Sequence, residues 1–127
     1  MNIGNPIHTI VGLRVNGIAF IEDYVEICIG ASILRSLARP YVMIHGKTSR
    51  YPDKETILLL HSLIGCTIQH VDFTDKEKLQ LTVQNGIAVT IPLGYEGPDT
   101  PFETMQFVDY LGGPVTAWDI GVATGDK

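Results

Sequence analysis

The segment Leu79-Gln80-Leu81-Thr82-Val83-Gln84-Asn85-Gly86-Ile87-Ala88-Val89-Thr90-Ile91 decides the fold class. Leu79, Leu81 and Val83 alternate with Gln80, Thr82 and Gln84, the period of two that half-buries a strand. Ile87, Val89 and Ile91 alternate with Ala88 and Thr90 in the same way. A two-residue turn at Asn85-Gly86 would pair Gln84 with Ile87 and send the two apolar sets to opposite faces. A three-residue loop, Gln84-Asn85-Gly86, pairs Val83 with Ile87 and Leu81 with Val89, so all six apolar side chains share one face. Register follows burial, so the longer loop is expected, with Gly86 in the left-handed position of a type I turn and G1 bulge.

Working outward, the strand that leads into this hairpin has an earlier counterpart. The thirteen residues from His8 to Phe20 align without gaps on those from His61 to Phe73, at a constant offset of 53. His8/His61, Gly12/Gly65 and Phe20/Phe73 are identical, and Thr9/Ser62, Ile10/Leu63, Val11/Ile64, Val15/Ile68, Asn16/Gln69 and Ile18/Val71 are conservative. With one inserted residue, Val25, Ile27 and Ile29 then fall on Leu79, Leu81 and Val83. Self-similarity of this kind marks a duplicated supersecondary unit. In the first copy, strands are expected over Val11 to Ile21, Tyr24 to Ile29, Ile33 to Leu37 and Tyr41 to Ile44, with Gly30-Ala31-Ser32 as the hairpin loop. Apolar parity breaks down beyond Ile33. Between the copies, Gly46 to Arg50 reads as a solvated loop. Asp53 stands where it would cap a helix from Lys54 to about Leu63, with Glu55 in its first turn and Gly65 just past its end. Ile57, Leu58, Leu60 and Leu63 would form the face packed on a sheet. After Pro92 comes a Gly- and Pro-rich loop to Pro101. A strand over Glu103 to Tyr110, a turn at Gly112-Gly113-Pro114 and a last strand over Val115 to Ile120 with Trp118 complete the chain.

The expected class is therefore mainly β (α+β). Two tandem antiparallel meanders, residues 8–45 and 61–92, pack as a sandwich or roll with one short helix between them, followed by C-terminal strands over 103–120. A chain of 127 residues makes one domain, 1–127, and buries enough surface to need no metal or disulfide staple. Hydrophobic residues are 45% and charged residues 18%, which excludes intrinsic disorder. The net charge of −5 argues against nucleic acid as a partner. The longest apolar run, Ile57 to Leu60, is too short to span a membrane, and the N-terminus lacks a signal peptide's basic start, so a cytoplasmic location is expected.

Charge is unevenly placed. Residues 1–64 hold six Lys and Arg against five acids, whereas residues 65–127 hold three against nine, with no Lys or Arg from Leu79 to Asp126. Glu96, Asp99, Glu103, Asp109, Asp119 and Asp126 thus lack a nearby basic residue in sequence, and Tyr95, Phe102, Phe107, Tyr110 and Trp118 are interleaved with them. A concentration of like charge speeds encounter with a basic partner, and Tyr95 on its Gly/Pro-flanked loop suits an interface anchor.

Other chemistries have weaker signatures. Gly46-Lys47-Thr48 lacks the upstream glycine of a phosphate loop, since Tyr41 stands there. His8, His45, His61 and His70 show no metal-ligand spacing, so no metal and no cofactor are expected. His8 and His61 suit a structural role near their glycines. His70 and Asp72 share one strand face but have no nucleophile in a defined motif. Cys28 and Cys66 read as small buried hydrophobes.

The stretch Leu63-Ile64-Gly65-Cys66-Thr67-Ile68, continued through Leu79 to Pro92, resembles a family of small bacterial β-rich proteins of uncharacterised function. That resemblance spans Pro6 to Ile120 and implies neither catalytic residues nor a cofactor. By class and charge the chain is also similar to immunity proteins, which neutralise toxins. The charge pattern leads to the expectation of a non-enzymatic protein whose acidic C-terminal third, through Tyr95, Glu96, Asp99 and Glu103, with Asp109 and Asp119, binds a basic protein, and the similarity to immunity proteins implies that this partner is a toxin domain. Homodimerisation through edge strands, or a small ligand held between the copies, are the alternatives.

Overall fold

The computed structural model describes residues 6–22, 24–109 and 115–119. A 3-10 turn at Pro6–Ile10 leads into strands β1 (Val15–Ile21), β2 (Tyr24–Ile29), β3 (Ser32–Ser36), β4 (Tyr41–Ile44) and β5 (Lys47–Arg50). Helix α1 (Lys54–His61) then leads into β6 (Ile68–Thr74), β7 (Lys78–Val83), β8 (Ala88–Pro92), β9 (Glu103–Asp109) and β10 (Val115–Asp119). All strand pairs are antiparallel, and they form two five-stranded sheets. The fold is the expected mainly β class, a sandwich with one helix.

The halves are built alike and are interlocked. One sheet has the order β1-β2-β3-β9-β10 and the other β6-β7-β8-β4-β5. Each is a three-stranded meander from one half, completed by the hairpin of the other half. The expected register of the deciding hairpin is the observed one: Leu81 faces Val89, Leu79 faces Ile91, and the Val83 amide donates to the Ile87 carbonyl. Gly86 has φ +92°, as that loop requires. The six apolar side chains of this hairpin are buried with Ile27, Ile29, Leu34 and Phe107 of the other sheet. Each such side chain contributes roughly 1.5–3 kcal/mol by leaving water.

At one end the two halves meet across a local two-fold relation. Arg14 bridges Thr67, which is its own counterpart at the offset of 53. The Gly12 amide donates to the Ile68 carbonyl, and the Gly65 amide donates to the Val15 carbonyl. Likewise Val15 donates to Cys66, and Ile68 to Leu13. Gly12 and Gly65 have φ +88° and +93°, and β1 and β6 each carry a bulge at the second residue of the strand. At the far ends of these strands, ring centroids of Phe20 and Tyr51 lie 6.1 Å apart, as do those of Phe73 and Trp118. His8 and His61 serve the turns through their carbonyls, which accept from Val11 and Ile64, while their side chains are exposed.

Several expected details differ. Gly46–Arg50 is not a loop: Lys47–Arg50 is an edge strand paired with β4 alone, so it needs no apolar alternation. The first-half strands are Val15–Ile21 and Ser32–Ser36, and the loop between β2 and β3 shortens to Gly30-Ala31. Parity is hard to read beyond Ile33 because β3 turns Ser32, Leu34 and Ser36 inward, and two of these are polar; the Ser36 hydroxyl is satisfied by the Ala38 carbonyl at 2.6 Å. Helix α1 stops at His61, Asp53 makes no side-chain cap bond, and Leu58 is 71% exposed. Thr56 takes an inward position instead, its hydroxyl donating to Ser49 Oγ at 2.8 Å. Tyr110, the turn at 112–114, Ile120 and Asp126 lie outside the described residues.

Candidate functional site

The halves differ most where β3 and β8 leave their meanders. The first crossover, Leu37–Pro40, has four residues, and the second, Leu93–Phe102, has ten. The short link is held down by the Thr104 carbonyl, which accepts from the amides of both Leu37 and Ala38. The long one begins with Leu93 donating to the Glu77 carbonyl. Gly94 then passes so close to the β6–β7 turn that a Cβ there would lie 2.7 Å from the Lys76 carbonyl oxygen. Beyond it the loop closes on itself: the Glu96 amide donates to Thr100 Oγ1 at 2.8 Å and the Thr100 amide to the Gly97 carbonyl.

Glu96 straps this loop to the β4–β5 hairpin. Its carboxylate accepts from Arg50 Nη2 and from the Tyr41 hydroxyl, the latter at 3.2 Å. The Arg50 guanidinium lies 4.2 Å from the centre of the Tyr41 ring, and Arg50 Nε donates to the Arg39 carbonyl. Burial pushes the Tyr41 phenol above its ordinary value of 10.0; Arg50 opposes that, and Glu96 adds to it. Between the strapped loop, the short crossover and the β1–β2 turn lies a cleft of about 540 Å³, lined among others by Glu22, Arg39, Arg50, Tyr51, Glu96 and Asp99.

The structure separates the sequence-nominated residues. Tyr95, Glu96 and Asp99 share the long loop, and Tyr95 is 69% exposed. Phe102, at the end of that loop, is 54% exposed rather than part of the core. Glu96 does not lack a neutralising partner, because Arg50 comes from the other half of the chain. Glu103 belongs to a different feature, a polar ladder on the outer face of the first sheet. It accepts from Gln106 Nε2 at 2.7 Å; Gln106 accepts from Arg35, and Arg35 pairs with Glu26. Asp119 faces Glu103 across the β9–β10 pair. Asp109 pairs with Ser32 at the other end of β9, about 20 Å from Glu103 for a seven-residue strand.

Sequence reading missed Glu22, Arg39, Arg50 and Tyr41 at this end of the molecule. It also missed Asp75 and Glu77, exposed on the turn that packs against Leu93 and Gly94. A signal for Glu22 existed: at the offset of 53 it is the counterpart of Asp75, so both halves place an acid at the turn after their first strand. Counting charge by halves hid it in the neutral one.

The remaining constellations stay apart. Lys47 and Thr48 are exposed on an edge strand. His70 and Asp72 are exposed on β6, Ser32 and Ser36 are buried, and the Ser62 hydroxyl donates to the Leu59 carbonyl. Both cysteines are free, and burial, aided by Glu26, raises the Cys28 thiol pKa. Among the described residues, no three His, Cys, Asp or Glu side chains gather closely enough to hold a metal ion, and no helix is long and apolar enough to cross a membrane. Comparison with protein families, with curated proteins and with solved structures finds no match.

Proposed function

We propose that this chain is a non-catalytic protein-binding module of the bacterial cytoplasm. It docks a basic protein domain, in the manner of an immunity protein that neutralises a toxin, through the end of the sandwich that carries the long crossover. The observation that supports this reading best is the pairing of exposed Tyr95 and Phe102 with Asp99 on one loop. Large aromatic side chains supply contact area at low entropic cost and dominate interface energetics, whereas rim carboxylates govern encounter rate and partner choice. The acids of the neighbouring turns, Glu22, Asp75 and Glu77, extend the negative surface around that loop. Glu96 acts within it as a positioning residue, because its carboxylate is committed to Arg50 and Tyr41. Glu103, Asp109 and Asp119 fall outside the proposed contact.

The test is titration calorimetry against a basic toxin domain, the candidates being any such domain found encoded by a neighbouring gene. The dissociation constant should rise at least tenfold between about 0.05 M and about 0.5 M salt, because rim charges are screened over roughly 10 Å or less in that range. Tyr95→Ala and Asp99→Lys should each weaken binding further. A complex insensitive to salt and to both substitutions would falsify the docking surface.

A further inference from the structure

The cleft beside the long loop has its own charge pattern. Its ionised lining side chains are Glu22, Arg39, Arg50, Glu96 and Asp99. Arg50 and Glu96 neutralise each other. Glu22 and Asp99 make no ion pair with a basic side chain among the described residues, and they come from opposite halves of the chain. The lining therefore brings together two acidic residues and one arginine, Arg39, that make no ion pair among the described residues, leaving one negative charge uncompensated. Tyr51, Pro52, Pro98 and Pro101 supply apolar wall between the charged groups.

We propose that this cleft takes the side chain of one arginine or lysine of a polypeptide partner, a proposal that rests on the docking reading above. One cationic head neutralises the cleft, whereas a carboxylate or phosphate would add to its unpaired negative charge. Its methylene stem lies along the proline and tyrosine wall, the way long basic side chains ordinarily bury their stems. A volume of about 540 Å³ accommodates such a side chain together with the backbone that carries it. Glu22 is thereby a specificity residue supplied by the half whose overall charge is near neutral. Arg39 is a discriminating residue, because its charge opposes the cation that the cleft accepts.

The probe is a blocked tripeptide with a central arginine, titrated into the full-length chain and followed by backbone amide NMR shifts. The expected result is movement of the Tyr51, Gly97 and Thr100 amides with the arginine peptide and not with its neutral citrulline analogue. Glu22→Gln and Asp99→Asn should each weaken the peptide about two- to fivefold, the range for exposed charge pairs. Arg39→Gln should tighten it by a similar factor. The amide spectrum of each variant reports directly whether it is folded. Equal shifts with the citrulline peptide, weaker binding on Arg39→Gln, or tighter binding of calcium ion alone at the same amides would each overturn the assignment. If the peptide fails while the protein partner still binds in a Tyr95- and salt-dependent way, the cleft assignment falls and the docking reading stands. If both fail, the docking reading itself is wrong.

Discussion

The link from β3 to β4 has four residues and the link from β8 to β9 has ten, yet both carry the chain from one sheet to the other. The short link is as long as the crossing requires. It is pinned to the Thr104 carbonyl, and it presents one exposed charged side chain, Arg39. The long link carries six residues that the crossing does not need. They build one wall of the cleft, expose Tyr95, and reach across to the other half through Glu96 and Arg50. The scaffold is what the halves share, and the candidate site is where they differ.

That comparison breaks most easily in the core. Ile27 and Leu81 occupy equivalent positions in the middle strands of the two meanders, and both are buried. Ile27→Ala and Leu81→Ala should each destabilise by about 2–5 kcal/mol in chemical denaturation, and by similar amounts. A large cost for one and little for the other would mean that the halves are not energetic counterparts. Gly94→Ala comes next, at about 1–3 kcal/mol, because its Cβ would press on backbone rather than on a side chain that can move. Ala38→Gly in the short link should cost no more than about 1 kcal/mol, and a reversed order would contradict the account of the long loop.

Smaller effects sharpen the contrast. Glu96→Gln should cost at most about 1 kcal/mol, since both partners of its ion pair are about one-third exposed. Hydrogen exchange at the Thr100 amide should nevertheless accelerate, while the Leu37 and Ala38 amides, held by Thr104, should not change. The smallest effect concerns Tyr41. Its folded-state pKa lies above the ordinary value of 10.0, mainly because burial disfavours the phenolate. The stabilisation is present below about pH 10 and is lost as pH rises through the raised folded value. Ultraviolet titration of the native protein should include a late phenolate, and Tyr41→Phe should remove that phase. A titration unchanged by Tyr41→Phe would contradict the half-buried, Glu96-bonded placement.

What the sequence discloses divides along the same line. The register of the β7–β8 hairpin is legible because six apolar residues and Gly86 admit one arrangement in which burial and turn geometry agree. The common start of the halves is legible through the His, Gly and Phe positions, since glycines with φ near +90° leave a specific mark. The strand β5 is not legible, because an edge strand of Lys, Thr, Ser and Arg buries too little to impose a pattern. Nor is Thr56's inward position, which depends on a hydroxyl partner from another element. The exchange of hairpins between halves has no local signal at all. For the candidate site, the loop and Tyr95 could be read from exposure-prone composition. Arg50 and Glu22 could not, because they approach the loop only after the chain has crossed between sheets.

The most direct test of where the function resides is the footprint of the basic partner on the amide spectrum of the full-length chain. Shifts concentrated at residues 94–102, with Glu22 and Tyr51, are the result expected here. Shifts concentrated at the opposite end, around residues 11–14 and 64–67 where the two halves meet, would contradict it.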